Sequence, residues 1–271
     1  MHKHVALCGL LQALAHKDKG FLYLETHAGR GSYDLVGSPE ARAAAPAIDR
    51  IVAGATSGAG KCEPELSAYG QAIASWRAHS RRPDAYPGSP VIAAMQLRPQ
   101  DRAVLVELLP DEASALERAV SPWPRVRVET GDGFERLKAF LPPRERRGLT
   151  FVDPPYEQTR EDYARVAAAL LEALRRFATG IIAVWYPIKD ARDSTAWLAR
   201  LAPRIAREAL TVELWLHPCD SRVALNGSGL LIVNPPYGFA ERARAWLPEL
   251  HALLDPAAAG GCRLAPMETV V

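Results

Sequence analysis

Residues 149–156 read Leu-Thr-Phe-Val-Asp-Pro-Pro-Tyr: an apolar run closed by an acid, two prolines and an aromatic. The run predicts a buried strand, because it is short, free of charge and ended by proline. Each proline fixes φ and removes an N–H, so the chain must leave the sheet in a stiff turn. That turn predicts the Asp153 carboxylate and the Pro154 carbonyl side by side at the strand's carboxyl end. Open α/β sheets bind their ligands at that end.

The pairing suits alkyl transfer to the exocyclic amine of a nucleobase. Such a nitrogen is a poor nucleophile, since its lone pair is delocalised into the ring. Two acceptors would hold its two hydrogens, favour a tetrahedral nitrogen and stabilise the charge that grows on it. Tyr156 is placed to stack on the flat base. The same residues could instead form a proline turn with a helix-capping aspartate; the direct sequel to an apolar strand favours chemistry.

An alternation of strands and helices surrounds this segment. A helix is predicted over residues 5–16 and a strand over Phe21–Glu25, followed at once by Thr-His-Ala-Gly-Arg-Gly (26–31). An acid at a strand end followed by Gly-x-Gly lets the backbone approach a nucleotide-like ligand; the third glycine of the dinucleotide fingerprint is missing, which argues against NAD. Residues 36–100 are too long for one crossover, with helices expected over Pro39–Val52 and Pro64–His79 and a loop over Gly54–Gly60. Further strands are expected at 103–107, 125–130, 180–185, 208–216 and 229–233, with a closing helix over 240–254 and an irregular tail from Pro256. This pattern predicts an α/β fold with a doubly wound, mainly parallel, Rossmann-like sheet of seven strands and a helical insertion after the first. The expected division is 1–35 and 101–271 for the sheet domain and 36–100 for the inserted helical subdomain.

Acids end the first three strands: Glu25, Glu107 and Asp132. The second is where a ribose diol is held, and the third could accept from an adenine amino group. Together they describe a pocket for S-adenosylmethionine. Residues 230–237 repeat the proline pair as Leu-Leu-Ile-Val-Asn-Pro-Pro-Tyr. Asn-Pro-Pro-Tyr also serves amine methylation, but a last strand that runs antiparallel would turn Asn234 away from the cofactor, so it is read as a structural turn.

Net charge is only +2, so any nucleic-acid contact must be a local patch. The candidates are Arg81-Arg82, Arg144 to Arg147 and Arg175-Arg176, with Arg81-Arg82 preferred for its closeness to Ser89. The four cysteines form no C-x-x-C pair, so no metal site is expected, and free thiols suit a reducing cytoplasm. There is no apolar run of membrane-spanning length, hence no membrane partner is expected.

The chain resembles the bacterial 23S ribosomal RNA adenine-N6 methyltransferases of the J type, a class I methyltransferase family. The resemblance rests on FLYLETHAGRG (21–31), YPGSP (86–90), Asp132-Gly133-Phe134, RRGLTFVDPPYE (146–157), RFATGIIAVWYP (176–187) and SGLLIVNPPY (228–237), and spans residues 3 to 256. It implies methylation of one adenine N6 in naked or partly assembled 23S rRNA; a monomer is expected. It implies Asp153 as the catalytic acceptor, to which the reading of the turn adds Pro154 and Tyr156 as catalytic residues. Cofactor contacts would come from His4, His27, Gly29, Ser89, Glu107, Asp132 and Gly133. Two departures stand out. Glu25 occupies a position where the family usually has Asp. The family also implies roughly fifteen residues ahead of Lys3-His4, so an upstream extension or a truncation that weakens active-site closure is expected. The alternatives are a DNA adenine-N6 methyltransferase and a non-catalytic RNA-binding protein that keeps the fold.

Overall fold

The computed structural model describes every residue except 58–61, 158, 190, 219, 220, 222–224 and 268–271. Part of the expected 54–60 loop, and Cys219, thus lie outside the described residues. In chain order the elements are α1 (His2–Ala15), β1 (Leu22–Glu25), β2 (Ser32–Asp34), α2 (Pro39–Thr56), α3 (Pro64–Ser80), β3 (Ala85–Pro87), α4 (Ser89–Gln96), β4 (Arg102–Glu107), α5 (Pro110–Val120) and β5 (Val126–Thr130). They continue with α6 (Gly133–Phe140), β6 (Gly148–Val152), α7 (Thr159–Arg176), β7 (Ile181–Ile188), α8 (Ala191–Leu201), β8 (Ala209–Trp215), β9 (Gly227–Val233), α9 (Phe239–Leu254) and β10 (Gly261–Pro266).

The main sheet has the order β10-β8-β9-β7-β6-β1-β4-β5. From β7 to β5 all neighbours are parallel, whereas β9, β8 and β10 are joined antiparallel. The chain winds outward from β1 to β5, then returns to build β6 and β7 on the other side. The switch point therefore falls between β1 and β6. Alternation along β1 serves both faces: Phe21 and Tyr23 join the core under α1 to α5 and α9, and Leu22 and Leu24 the core under α6 to α8. Burial on both faces is why β6 reads as an apolar run broken only by buried Thr150.

Three differences from the sequence reading have physical causes. The sheet has eight strands, not seven: β10 pairs with β8 where an irregular tail was expected. That strand carries no alternating apolar signal; Arg263 instead pairs with the buried Glu213. Second, the 36–100 segment is not purely helical, because β2 and β3 close its base as a two-stranded sheet and α4 packs on the core of the main one. Third, α1 starts at His2, three residues earlier than its apolar periodicity indicates, and this brings Lys3 and His4 into helix.

The second proline pair follows β9, whose antiparallel direction puts Asn234 at the start of β7, the opposite edge from Asp153. Asn234 takes left-handed backbone (φ 53°), and its amide donates to the carbonyls of Ala178 and Gly180 at 3.0 and 2.8 Å. Asn is the non-glycine residue best suited to that conformation. Asn234→Ala should lower the unfolding free energy by about 2 kcal/mol, through lost bonds and left-handed strain. Asn234→Gly, which keeps the backbone freedom, should cost about half as much. Denaturant titration of the three proteins checks this; equal losses would mean that the side-chain bonds alone matter.

Candidate active site

Val152 ends β6 in the sheet interior, and the chain then turns through Asp153, buried Pro154 and exposed Pro155. Tyr156 closes the turn in left-handed backbone at φ 52°. For a bulky residue this conformation is strained and has to be held by its surroundings. The Tyr156 hydroxyl donates to the Trp185 carbonyl at 2.7 Å, and Lys189 Nζ donates to the Tyr156 carbonyl at 3.2 Å. The ring packs against Tyr163 and Trp185, with centroids 5.2 and 5.6 Å away, and is only 1% exposed. This corrects the expectation that Tyr156 stacks on a base: its faces are taken by protein, and it anchors the turn to β7 instead.

Asp153 itself is nearly covered, and its carboxylate forms an ion pair with Lys3 Nζ. Burial pushes the Asp153 carboxyl up, while the Lys3 ammonium pulls it back down. Lys3 also sits over the Trp185 ring, 5.2 Å from its centroid, and both line a pocket of about 270 Å³. Sequence reasoning missed Lys3. Its signal was that it is the only charged side chain in the otherwise apolar or neutral α1, apart from its histidines.

Beside Asp153, the end of β1 holds Glu25 fully buried. It accepts from Tyr23 Oη at 2.8 Å and Ser89 Oγ at 2.5 Å. Burial is the largest cause that lifts its carboxyl to about 8, with the nearby Asp153 adding to it. The Gly29–Gly31 turn follows in left-handed backbone at both glycines. Glu107 fixes this turn, accepting from Gly29 N at 2.7 Å and from Leu109 N at 2.9 Å. Gly88 N donates to the Gly31 carbonyl at 2.8 Å, which ties Ser89 to the same loop.

At the end of β5, Asp132 caps α6 through Phe134 N at 2.8 Å and pairs with Arg165 at 2.7 Å. Gly133 is required by close approach: a Cβ there would lie 1.8 Å from the Thr26 carbonyl. His27 packs edge-on against Phe134 and exchanges a 2.7 Å hydrogen bond with Thr26 Oγ1; burial lowers its pKa to about 4, so it is neutral near pH 7. His4, also neutralised by burial, bonds Tyr86 Oη at 2.7 Å, and Tyr86 bonds Tyr69 at 2.7 Å.

A family model described as ribosomal RNA large subunit methyltransferase D, RlmJ, matches residues 18–267. The chain is 38% identical to ribosomal RNA large subunit methyltransferase J of Escherichia coli K12 over 258 residues, covering 95% of this chain and 90% of that one. The corresponding protein of Haemophilus influenzae is 36% identical over the same shares. The chain belongs to this methyltransferase family. Among solved structures, protein LPL1258 of Legionella pneumophila superposes with a TM-score of 0.83 at 34% identity, covering 97% of this chain and 94% of that one.

For a member of this rRNA methyltransferase family, the structure brings the residues singled out above to one edge of the sheet, with a division among them. Gly29, Glu107, Asp132, Gly133 and His27 frame the loops after β1, β4 and β5. Asp153, Glu25 and Ser89 cluster at the β1–β6 switch, and His4 faces Tyr86 one helical position beyond Lys3. The preferred basic pair fares less well. Arg82 is engaged by Asp34 at 2.7 Å and Asp84 at 3.3 Å, and Arg81 terminates α3 in left-handed backbone.

The Glu25 arrangement has a sign that can be checked. Its folded pKa of about 8 lies above its unfolded one, so the stability it contributes is complete at acid pH and is lost as pH rises toward 8. Glu25→Gln, which can keep both hydroxyl contacts, should remove this dependence. Unfolding free energies from urea titration should separate progressively between pH 5 and 8, to a few kcal/mol in favour of the variant; parallel curves would contradict the assignment.

Proposed function

We propose that the protein is an S-adenosylmethionine-dependent methyltransferase acting on N6 of one adenine in 23S rRNA. The observation that carries this reading is the Asp153-Pro154 turn. It is clamped to β7 through Tyr156 and Lys189 and faces the Glu25 end of β1 at the switch point. Membership of the rRNA large-subunit methyltransferase family supports the substrate class.

The edge formed by the loops after β1, β4, β5 and β6 suits the cofactor by the chemistry of its residues. Glu107, Asp132 and Asp153 are acceptors when ionised, and the partly exposed Gly29, in left-handed backbone, opens the loop after β1. A ligand with a sulfonium, an ammonium, a ribose diol and an adenine amino group presents cationic and donor groups to such an edge. Glu107, with two amide bonds, keeps lone pairs for the diol. Asp132 and Gly133 border the adenine, His27 offers a neutral wall, and Gly29 lets the backbone approach. Ser89 holds Glu25, and His4 lies at the end of the tyrosine pair from β3 and α3. When bound, S-adenosylmethionine supplies a methyl group already activated on sulfur.

The chain's own residues then position the acceptor. Asp153 and the Pro154 carbonyl take the two amino hydrogens of the flipped-out adenine and stabilise the charge growing on nitrogen. Lys3 offsets part of the burial that raises the Asp153 pKa, and shares the carboxylate with the incoming amine. The proton leaves after the methyl has moved, so Asp153 need not be a strong base. The base must be unpaired to reach this edge, which favours naked or partly assembled RNA, met by a monomer in the cytoplasm.

Transfer of tritiated methyl to unmodified rRNA and to duplex DNA tests the substrate. Label in rRNA is expected; label in DNA alone would overturn the reading. Asp153→Asn should lower turnover by about 10²- to 10³-fold while cofactor binding is largely kept. Lys3→Met should move the acid limb of the rate profile to higher pH, since the cation that depresses the Asp153 pKa is gone. An unmoved limb would show that Lys3 does not govern the ionisation of Asp153.

A further inference from the structure

The edge of the sheet opposite Asp153 carries two clefts that the chemistry above does not use. One, of about 690 Å³, is lined by Lys17, Arg146, Arg147 and Arg242 and by Pro236-Tyr237 of the second proline pair. The other, of about 500 Å³, is lined by Arg102, Arg125, Arg127 and Arg144. The residues between Pro142 and Gly148 wall both, and neither lining includes an acid.

Partners divide these cations. Arg242 is paired with buried Glu65, Arg102 and Arg144 share Glu145, and Arg127 pairs with Glu129. In the larger cleft Arg147 donates to the carbonyls of Leu14 and Lys19, which are neutral, so its charge persists. Lys17 and Arg146 extend into solvent; the acids beside them in sequence are Asp18 and Glu145, and Glu145 is already taken by Arg102 and Arg144. The larger cleft is therefore positive, and its volume is in the range of small-ligand sites.

Tyr237 supplies the second observation. Its side chain is 102% exposed, so nothing in the fold covers either face of the ring. Yet its turn is rigid, held by two prolines and by the left-handed Asn234 with its two amide bonds. Across the cleft Arg146 also takes left-handed backbone, at φ 55°. An uncovered aromatic on a rigid turn, beside cations that no acid side chain neutralises, is the combination a base-stacking and phosphate site uses.

We propose that this cleft docks a single-stranded segment of the RNA substrate, with phosphate held by Lys17, Arg146 and Arg147 and a base stacked on Tyr237. It lies roughly 17 Å from Asp153 along β6, so it adds affinity and orientation without touching the reacting base. The inference rests on the reading of the protein as an rRNA methyltransferase.

Binding of a 23S rRNA transcript across a salt series, with methyl transfer to the same transcript, tests it. The variants are Tyr237→Ala and the pair Lys17→Gln with Arg146→Asn, asparagine being chosen because it tolerates left-handed backbone. Tyr237→Ala should raise Kd roughly tenfold. The charge pair should flatten the slope of log Kd on log salt by about 0.7 per lost phosphate contact. Turnover at saturating RNA, cofactor affinity and thermal stability should match the wild type. Unchanged Kd and slope in both variants would overturn the proposal. So would poly-L-glutamate competing as well as RNA while Tyr237→Ala has no effect, because the occupant would then be an acidic protein segment. A wild type that binds the transcript without methylating it would reject the catalytic reading instead, and leave the binding comparison intact.

Discussion

β1 hydrogen-bonds in parallel to β4 on one side and to β6 on the other, with Leu22 opposite both Arg102 and Gly148. Because the chain leaves β1 toward β4 and comes back to build β6, helices depart to opposite faces and a crevice opens between the two strand ends. Glu25 and Asp153 are the residues that these ends deliver. Both carboxyls are buried, and burial raises both; the fold contains the conflict by giving Glu25 two hydroxyl donors and Asp153 a cation. Burial outweighs the two hydroxyl donors at Glu25, which stays neutral near pH 7, while Lys3 favours the charged form of Asp153.

The cation comes from the first turn of α1, a helix otherwise almost wholly buried against the sheet. A packed helix is a stiff carrier, so Lys3 reaches Asp153 from a fixed point and not from a mobile tail. The same turn carries His4 toward Tyr86 and Tyr69. The insertion after β1 is in this way wired to the Asp153 edge through a chain of hydrogen bonds as well as through shared core.

Much of this was legible in the residues. Asp153-Pro154-Pro155-Tyr156 announced itself because proline cannot continue a parallel strand. The acids at 25, 107 and 132 could be placed because βα alternation dictates which strand ends share an edge. Asn234 could be assigned to the far edge because the direction of its strand decides it. What stayed hidden depends on tertiary packing. Tyr156 looked like a stacking platform, since sequence does not show that the Trp185 carbonyl waits for its hydroxyl. Lys3 looked like a terminal residue, since only the completed sheet reveals what α1 lies against. The strand at 261–266 lacks an alternating pattern because it is an edge strand whose pairing with β8 is set by backbone bonds and by Arg263 meeting Glu213.

The central claim is geometric: a carboxylate and a neighbouring peptide oxygen grip an adenine amine in front of the cofactor hollow proposed beside the Gly29–Gly31 turn. A crystal structure with a bisubstrate compound, in which adenine N6 is linked through a short chain to the sulfur position of the cofactor, tests it directly. The account predicts N6 at about 3 Å from the Asp153 carboxylate and the Pro154 carbonyl, with the cofactor half between the Gly29–Gly31 turn and Glu107. A compound seated in the hollow with its linked adenine turned away, and Asp153 still engaged by Lys3 alone, would contradict it.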